Sequence, residues 1–393
     1  MEKTTHILTL NSGSSSVKFA LFAIGQDQTC LFRGSLEGIA SSDGSFQVQG
    51  AQGDRPRNWP ASLPDHRAAL QVLFAWLEGA HPRGLDAVGH RIVHGGVDFL
   101  QPHRITPDLL ARLEGLVSLA PDHLPHEIKA IHAVSQDFPD VSQIACFDTA
   151  FHRTLPRKAR LFALPRDLES QGVRRYGFHG LSCEYILQEL EKEASTQTAR
   201  GHVIIAHLGG GASMTAVYNG QSMETTMGLT PLGGLVMGTR CGDLDPGVLL
   251  YLMRTHHLSI NELDNLLNRQ SGLLGVSGID SDMKELLRQE KQDPHAAEAI
   301  EIFCYQAKKF LGALSAALGG LDTLVFTGGI GENAPVIRER ICQDMEFLGI
   351  HLDVSANQAN AAVISAADSP AIVRVIKTDE ERMIARHCAA LIT

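Results

Sequence analysis

The chain has 393 residues, which is long enough for two or three domains. Its hydrophobic fraction of 44% and charged fraction of 20% are those of an ordinary soluble globular protein. The formal charge of −10 argues against nucleic acid or an anionic membrane as the main partner. An anionic small molecule stays compatible with this charge, because a cleft can be locally basic.

The cysteines and the N-terminus indicate where the protein works. The seven cysteines are scattered and no two form a CxxC pair, which indicates reduced thiols in a cytoplasmic protein. The first ten residues, MEKTTHILTL, lack the basic and apolar regions of a signal peptide. No apolar run reaches the length of about 18 residues that a membrane span needs. We therefore expect neither export nor membrane insertion.

Apolar runs alternate with helical patterns along the chain, which predicts an α/β fold. The predicted strands cover residues 7–10, 17–24, 87–93, 143–147, 203–207, 214–218, 323–326 and 372–376. The spacing of Leu70, Leu73 and Leu77 predicts a helix that stops at Gly79. Apolar residues at helical spacing from 300 to 318 predict a long buried helix, and residues 41–64, rich in Gly, Ser, Gln, Pro and Asp, predict a surface excursion.

Two stretches almost half a chain apart share one pattern. HILTLNSGSSSVKFALF begins at His6 and HVIIAHLGGGASMTAVYNG begins at His202, and each is a strand, a small-residue turn and a second strand. This echo predicts two domains with the same core, each opening with a hairpin whose tip faces a ligand. Coincidence is the alternative, since such hairpins are common.

Three glycine- or serine-rich turns suit a phosphate. Residues 11–18 place small hydroxyl residues before Lys18, but Val17 stands where a P-loop needs glycine. The three glycines of residues 209–211 let backbone amides approach an anion. The glycines of residues 328–331 precede Asn333, a predicted helix cap, and Pro335, but they lack the third glycine of the Rossmann pattern. Together these turns predict a nucleotide between the duplicated domains.

Charged and imidazole side chains follow the predicted strands and turns, where sites of α/β proteins lie. Arg91, Asp148, His179, Arg240 and Glu380 each have an ordinary structural explanation, such as an ion pair, a helix cap or a solvated side chain. Together they supply the cations, carboxylates and amide groups that phosphoryl transfer requires. Zinc peptidase and serine hydrolase chemistry fit less well, because the HExxH and GxSxG patterns are absent.

Seven motifs, in order and over nearly the whole chain, resemble those of the acetate kinase family. They are NSGSSSVKF, GHRIVHGG, FDTAFH, RRYGFHGLS, MGTRCGDLDPG, FTGGIGENA and TDEERMIAR. The family belongs to the group that contains sugar kinases, Hsp70 and actin. The resemblance therefore implies two duplicated actin-like (ribonuclease H-like) α/β domains with a nucleotide cleft between them. It implies an N-terminal domain of residues 1–151 plus 381–393, closed by the C-terminal helix, and a nucleotide-binding domain of residues 152–380.

The resemblance also implies an activity and partners. It implies reversible, Mg²⁺-dependent transfer of the γ-phosphoryl group of ATP to acetate, giving ADP and acetyl phosphate, with Mn²⁺ as an alternative ion. The partners would be ATP, a short-chain carboxylate and a second copy of the chain in a homodimer. Three alternatives stay open: a propionate, butyrate or other short-chain acyl kinase, a pyrophosphate-dependent acetate kinase, and a non-catalytic nucleotide-binding module like actin or Hsp70.

Matched motif by motif, the resemblance implies a role for each site residue. Implied metal-site residues are Asn11 and Glu380, the latter through water. Implied catalytic residues are Asp148, His179, Arg240 and His123, and the implied acceptor pocket is Arg91, the carboxylate clamp, with Val93, Phe178 and Pro231. Implied nucleotide-binding residues are Ser16, Lys18, His207, Leu208, Gly209, Gly210, Gly211, Asp282, Met283, Lys284, Gly329, Ile330, Gly331, Glu332 and Asn333. Acetate is already ionised at neutral pH, so we expect Asp148 to orient an arginine or the magnesium shell rather than remove a proton.

Several positions depart from the usual family pattern while the phosphoryl-transfer set stays whole. The departures are Asp122, Leu124, Cys183, Gly210, Gly233 and Lys284. Asp122 stands where the family's leucine packs near the acceptor methyl group, and a carboxylate there would repel an anionic acceptor. Either Asp122 turns away and pairs with His123, His126 or an arginine, or the pocket is tuned to another acceptor, such as a hydroxylated short acid, or binds acetate weakly. We expect weak acetate binding, since no arginine adjoins Asp122 in the sequence.

Overall fold

The computed structural model describes residues 4–50 and 56–392, and the chain divides into two compact units. Unit 1 is Met1–Phe151 with Asp379–Thr393, and unit 2 is His152–Thr378. The strands are β1 (Thr5–Ser12), β2 (Ser16–Ile24), β3 (Gln28–Glu37), β4 (Ser45–Gly50), β5 (Arg57–Pro60), β6 (Ala87–Ile92), β7 (His103–Arg104), β8 (Ser142–Phe147), β9 (Val203–Leu208), β10 (Ala212–Tyr218), β11 (Gln221–Thr225), β12 (Thr323–Thr327) and β13 (Ile372–Val375). The α-helices are α1 (His66–Ala80), α2 (Pro107–Gly115), α3 (Leu124–Asp137), α4 (Arg157–Arg160), α5 (Arg166–Ser170), α6 (Gly180–Glu193), α7 (Thr196–Arg200), α8 (Pro246–Thr255), α9 (Ile260–Arg269), α10 (Gly272–Ser277), α11 (Met283–Gln289), α12 (Pro294–Leu318), α13 (Gly328–Asn333), α14 (Pro335–Cys342), α15 (Val354–Gln358) and α16 (Glu380–Ile392).

The predicted α/β fold is confirmed. All eight predicted strands are present, as β1, β2, β6, β8, β9, β10, β12 and β13. The helix predicted to stop at Gly79 is α1, which ends one residue later, at Ala80. The long buried helix is α12, which ends at Leu318 because Gly319 takes a left-handed conformation with φ of 83°.

Unit 1 is built on a mixed sheet with strand order β5-β4-β3-β2-β1-β6-β8-β7. Strands β1, β6 and β8 run parallel, whereas β2 and β3 pair antiparallel beside β1. Helices α1 and α3 pack against one face, where Leu8, Leu10 and Val88 join the main hydrophobic core. Adjacent residues of a strand point to opposite faces, and Gly89 accordingly meets α16 on the other face.

Unit 2 carries a five-stranded sheet with strand order β11-β10-β9-β12-β13. Strands β9 and β10 form an antiparallel hairpin, and β12 and β13 run parallel to β9. The same sequence of pairings, two antiparallel and then two parallel, occurs in unit 1 along β3-β2-β1-β6-β8. This shared order is what duplication of one core predicts, and it places the serine-rich and glycine-rich hairpin turns at equivalent positions.

The predicted surface excursion over residues 41–64 was wrong for two of its segments. Strands β4 and β5 extend the sheet of unit 1 at its edge, and Phe46 and Val48 are buried. The period of two that Phe46 and Val48 set between glutamines favours a strand over a loop. Residues 51–55 lie outside the described residues.

Within the described ranges, 4–50 and 56–392, the chain has no helix with the length and apolar character that a membrane crossing requires.

Close packing of α16 on the sheet predicts the effect of a single methyl group. A Cβ added at Gly89 would clash with the Ile384 side chain and lie 2.5 Å from Cys388 Sγ, both on α16. We expect Gly89→Ala to lower the free energy of unfolding by about 1–3 kcal/mol, because α16 has to shift. Urea unfolding followed by circular dichroism measures this.

Gly79→Ala is the matched control for this prediction. An added Cβ at Gly79, on the exposed side of α1, meets no described atom within 4 Å. We expect that change to raise the stability by about 0.5–1 kcal/mol through helix propensity. Equal effects of the two substitutions would contradict tight packing of α16 on β6.

Candidate active site

A buried arginine gathers the polar side chains of unit 1. Arg91 lies near the end of β6, and its Nη2 atom is 2.5 Å from Asp148 Oδ2. Its Nη1 donates to Asn11 Oδ1 at 3.1 Å, and its Nε lies 3.6 Å from Glu380 Oε2. Because β1, β6 and β8 are parallel neighbours, their carboxyl ends share one edge of the sheet, and Asn11, Arg91 and Asp148 meet there.

The electrostatics of this cluster follow from burial. Desolvation disfavours the Arg91 guanidinium, but Asp148 and then Glu380 outweigh it and raise the pKa of Arg91. Desolvation raises the pKa of Glu380, and Arg91 opposes that rise only in part. Asp148 is completely buried, and its Oδ1 atom has no hydrogen-bond partner among the described residues. A buried carboxylate oxygen without a partner is a position that a ligand can complete.

The donor atoms around Arg91 fit a hard divalent cation. Asn11 supplies an amide oxygen, and Asp148 and Glu380 supply carboxylates, which are the oxygen ligands Mg²⁺ prefers. Mg²⁺ keeps several waters and takes the rest of its shell from one or two carboxylates and substrate phosphates. No cluster of three or more His, Cys, Asp or Glu residues suited to a metal occurs in the described parts of the chain.

The serine-rich turn of unit 1 is tied at its base. Gly13 N donates to Ser16 O at 2.8 Å, and His66 Nε2 lies 2.6 Å from Gly13 O. Lys18 pairs in register with Asn11 across the hairpin, and its side chain is exposed. Ser16 and Lys18 thus follow a fixed turn on the strand next to Asn11.

Two histidines of unit 2 are held by serine hydroxyls. His179 Nδ1 lies 2.9 Å from Ser213 Oγ, and His207 Nδ1 lies 2.8 Å from Ser182 Oγ, which also bonds Thr378 Oγ1. The two imidazole rings stack with centroids 4.3 Å apart. His179 has a left-handed backbone with φ of 56° at the start of α6, a conformation that non-glycine residues adopt at a cost. These contacts fix the orientation of both rings.

Arg240 lies beside His179 at the glycine-rich turn. A Cβ built at Gly211 would be 2.6 Å from Arg240 Nη2 and 3.4 Å from His179 Nε2, so a side chain there would displace the arginine. Arg240 Nη1 donates to the carbonyl of Pro231 at 2.6 Å. The structure therefore brings His179, Arg240, Pro231 and Gly211 together.

The predicted nucleotide segments also adjoin one another in unit 2. Gly209 N donates to Gly211 O, and a Cβ at Gly209 would lie 3.8 Å from Gly329 N. Gly238 connects to the same turn through a bond from its amide to Gly210 O, and its Cβ would lie 3.2 Å from Ser281 O. Ser281 directly precedes the predicted residues at 282–284. Of these, Asp282 caps α11 by accepting from Lys284 N, Met283 is buried, and Lys284 is exposed.

The predicted role of Asn333 as a helix cap was wrong. The glycines that follow β12 form the short helix α13, which Asn333 ends, and Ala334 precedes the next helix. Asn333 Nδ2 donates back to Gly329 O at 2.9 Å. Glu332 Oε1 accepts from Gly328 N and Thr378 N, both at 3.0 Å, so this side chain joins the start of α13 to the chain beyond β13. Ile330 is half-buried and Gly331 is buried.

The remaining predicted site residues divide between the units. In unit 1, Val93 is buried just beyond β6, and His123 stands at the N-cap of α3 without a capping bond from its side chain. In unit 2, Phe178 and Leu208 are buried. Among the departures, Leu124 and Cys183 are buried, whereas a Cβ at Gly210 meets no described atom within 4 Å, so a side chain fits there.

Sequence reasoning missed four polar residues that hold the site. Ser213, Ser182 and Thr378 orient the two histidines, and Glu127 contacts the backbone of Val93. Glu127 had a detectable signal, because its spacing from Leu124, Ile128 and Ile131 puts a carboxyl group on the apolar face of a helix. The hydroxyl residues had none, since serine and threonine are common in such turns.

Comparison with known proteins decides the family. The chain matches the Acetokinase family over residues 6–386. It is 50% identical to the acetate kinase of Rhodopseudomonas palustris over 387 residues, which is 97% of each chain, and 47% identical to that of Methylocella silvestris over 98% of each. The chain belongs to the acetate kinase family. The resemblance predicted from the seven motifs is thereby confirmed.

Solved structures of the family have the same fold. Porphyromonas gingivalis acetate kinase matches with a TM-score of 0.89 at 38% identity, over 99% of this chain and 100% of that chain. A propionate kinase from Francisella tularensis matches with a TM-score of 0.91 at 39% identity, over 98% of each. Acetate and propionate kinases are thus equally close in fold.

The bond between Ser213 and His179 predicts a positioning effect. We expect Ser213→Ala to lower kcat for acyl phosphate formation about tenfold, with little change in substrate KM, because the imidazole loses its fixed orientation. Steady-state kinetics measure this effect.

Ser222→Ala is the matched control for Ser213→Ala. Ser222 Oγ lies 2.9 Å from Nδ1 of the buried His152, a pair of the same kind that lies outside the predicted site residues. We expect similar losses of stability from the two changes but normal kcat in Ser222→Ala. Normal kcat in Ser213→Ala would contradict the positioning role.

Proposed function

We propose that the chain is an acetate kinase, which transfers the γ-phosphoryl group of ATP reversibly to acetate and forms ADP and acetyl phosphate. The observation that carries this proposal is the Arg91 cluster, a guanidinium fixed by Asp148 and Asn11 in a chain of this family.

Arg91 binds the carboxylate of the acceptor. Its Nη atoms are held by Asp148 and Asn11, and its Nε–H has no hydrogen-bond partner among the residues that the structure describes. The guanidinium side chain is 16% exposed, so a small acid can reach it. A fixed guanidinium is well suited to a carboxylate, because its donors match the geometry of two oxygens. The buried Val93, two residues further on, supports an apolar wall for the methyl group.

Arg240 and His179 stabilise the phosphoryl group during transfer. An acetate oxygen attacks the γ-phosphorus atom, and the bond from phosphorus to the bridging oxygen of ADP breaks. The acceptor is ionised at neutral pH, so no proton has to be removed and Asp148 serves to orient Arg91. Cations beside the transferring group compensate the charge on its oxygens, which is the main contribution a protein makes to this reaction.

ATP is the proposed phosphoryl donor, with Mg²⁺ or Mn²⁺. Asn11 and Glu380, the latter through water, would hold the ion, which compensates phosphate charge when bound. The amides of residues 209–211 and α13 support binding of the nucleotide, together with Ser16 and Lys18 at the serine-rich turn. Gly329 is exposed, and an added Cβ would meet no described atom within 4 Å. This open space favours ATP over pyrophosphate.

The acceptor choice rests on the residues around α3. Asp122, half-buried just before that helix, would weaken acetate binding or favour a different short acid only where its carboxylate faces the acceptor. A hydroxamate assay with acetate, propionate, butyrate and glycolate ranks the acceptors by kcat/KM. Acyl phosphate formed from ATP and not from pyrophosphate separates the proposal from its alternatives, and no acyl phosphate from any acid would leave a non-catalytic module.

We also propose a cytoplasmic homodimer. None of the seven cysteines, all of which the structure describes, takes part in a disulfide, which supports a reducing compartment. Helix α8 has no buried residue, although it presents Leu250, Tyr251 and Met253, and Ile260 lies exposed just beyond it. Such an apolar face suits a second copy of the chain. Light scattering after size exclusion should give twice the 42.5 kDa mass of the chain, and a monomeric mass would contradict the dimer.

Substitution of Arg91 and of Arg240 should change different kinetic constants. We expect Arg91→Ala to raise the acetate KM about tenfold or more with little effect on the ATP KM, and lysine not to restore it. We expect Arg240→Ala to lower kcat by about a thousandfold, because the contact matters most in the transition state. The hydroxamate assay measures both.

Arg67→Ala, an exposed change on α1, serves as the control and should leave all constants unchanged. A folded Arg240→Ala enzyme with near-normal kcat would remove Arg240 from the mechanism. A raised ATP KM with unchanged acetate KM in Arg91→Ala would reverse the assignment of Arg91.

A further inference from the structure

Glu127 is a buried carboxyl group that the mechanism above does not use. It lies in the first turn of α3, is 2% exposed, and shares the buried face of the helix with Leu124 and Ile131. Both of its carboxyl oxygens lie 3.2 Å from the backbone nitrogen of Val93. A carboxyl group this deep is rare unless it is paired or has a specific task.

The contact to Val93 completes a set of bonds that fix the chain beyond β6. Asp148 binds Arg91 through its side chain and donates its own amide to Ile92 O at 2.9 Å. Gly95 N donates to Thr149 Oγ1 at 3.1 Å. Residues after β8 therefore bond to Ile92 before Val93 and to Gly95 after it, and Glu127 of α3 bonds to Val93 itself.

The charges around Arg91 limit how many carboxyl groups can be ionised. Asp148, Glu380 and Glu127 all act on the single guanidinium of Arg91, with Lys18 as a further cation beside Glu380. An incoming carboxylate adds one more negative charge. Buried charges without compensation are costly, so the carboxyl group without a cation as its bonding partner is the one that burial favours in the neutral form when the acceptor binds. Glu127 suits this best, because its bonding partner is a backbone amide rather than a cation.

We propose that Glu127 is a positioning residue for the acyl acceptor, which holds Val93 and the end of β6 in place and remains protonated while the carboxylate binds to Arg91. This inference rests on the proposed function, since it assumes that Arg91 and Val93 contact the acceptor. Deprotonation of Glu127 places a negative charge beside Arg91 that competes with the acceptor. Acceptor affinity then depends on pH through this group.

The surroundings of Glu127 favour its protonated form, so the group ionises above neutral pH. Burial raises the pKa of Glu127 to about 8, with Arg91 and the amide of Val93 opposing the rise and Asp148 adding to it. The elements packed on α3 are β1, β6, α1 and α2, and their titratable or charged groups are His6, His90, Arg91, His66, Arg67, Glu78, Asp108, Arg112 and Glu114. The charged groups of α2 are exposed. His66 of α1 stacks on His126 of α3. Helix α3 also carries Lys129, His132 and Asp137, and His123 directly precedes it. His94 follows Val93.

The kinetic test compares three variants from pH 6 to pH 9. In the wild type, the acetate KM should rise about fivefold or more between pH 7 and pH 9 as Glu127 ionises. Glu127→Gln, which keeps an acceptor for Val93 N but no charge, should match the wild-type KM at pH 7 within about twofold and lose most of the rise. Glu127→Ala should raise the acetate KM about tenfold with unchanged ATP KM, because the Val93 amide loses its partner.

Asp137→Asn is the matched control, since it removes an exposed carboxyl group from the other end of α3. It should follow the wild type at every pH. The inference is overturned if Glu127→Gln keeps the full wild-type rise of acetate KM with pH. This measurement on Glu127→Gln tests the inference even if the Glu127→Ala variant does not fold. It is also overturned if a folded Glu127→Ala enzyme keeps the wild-type acetate KM.

The pH dependence of stability tests whether Glu127 is protonated in the folded chain, without an activity assay. The pKa of Glu127 is raised by folding, so the folded chain binds the extra proton and the wild type loses stability relative to Glu127→Gln as pH rises from about 4.5 to about 8. A difference in melting temperature that does not change with pH contradicts a protonated Glu127. A wild type that forms no acyl phosphate refutes the proposed function, whereas an active wild type with unresponsive Glu127 variants refutes this inference alone.

Discussion

A guanidinium taken out of water has to be compensated by acids at fixed positions, and the ion pair between Arg91 and Asp148 meets that requirement in unit 1. Asn11 and Glu380 add to it from β1 and α16, so four separate parts of the chain depend on one charge. Removing Arg91 would leave the buried Asp148 without a cation, and removing Asp148 would leave Arg91 with Glu380 as its acidic neighbour. The strand ends and the start of the last helix are therefore held together by the residues around Arg91.

Strand topology explains how these side chains meet. Each unit has an antiparallel hairpin continued by two parallel strands, and parallel strands end at the same edge of their sheet. In unit 1 that edge carries Asn11, Arg91 and Asp148. In unit 2 it carries His207 and the glycines after β12, with the glycine-rich turn beside them. One arrangement of strands thus gathers charged and amide side chains around Arg91 in unit 1 and glycine-rich turns in unit 2.

The two units hold their polar groups by different means. Unit 1 uses charges in close contact: burial raises the pKa values of Glu380 and Glu127, whereas the carboxylates of Asp148 and Glu380 raise the pKa of Arg91 against the effect of its burial. Unit 2 uses neutral hydroxyl groups, which fix His179 and His207 without adding charge next to Arg240. This difference suits their proposed substrates, since a carboxylate needs a selective cation and a polyphosphate needs many preorganised donors.

Several features of the protein were determined by the sequence alone. Eight strands and the helices α1 and α12 follow from local periodicity, because residues close in sequence decide which face of an element is apolar. Membership of the acetate kinase family follows from ordered motifs that need no coordinates, and the roles of the site residues stay predictions. Two predictions from the sequence were wrong: the surface excursion over residues 41–64 and the helix cap at Asn333. The pairing of β4 with β3 and the folding of the glycines into α13 depend on the surrounding sheet, which local patterns do not record.

Only the tertiary structure decided which polar groups contact one another. Periodicity could place Glu127 on an apolar helical face, but not beside the amide of Val93, which lies 34 residues earlier in the chain. Ser213 and Ser182 acquire their partners through the pairing of distant segments, at separations of 34 and 25 residues. The physical reason is that hydrogen bonds and buried charges act over a few ångströms in space, whereas a sequence pattern records only neighbours along the chain.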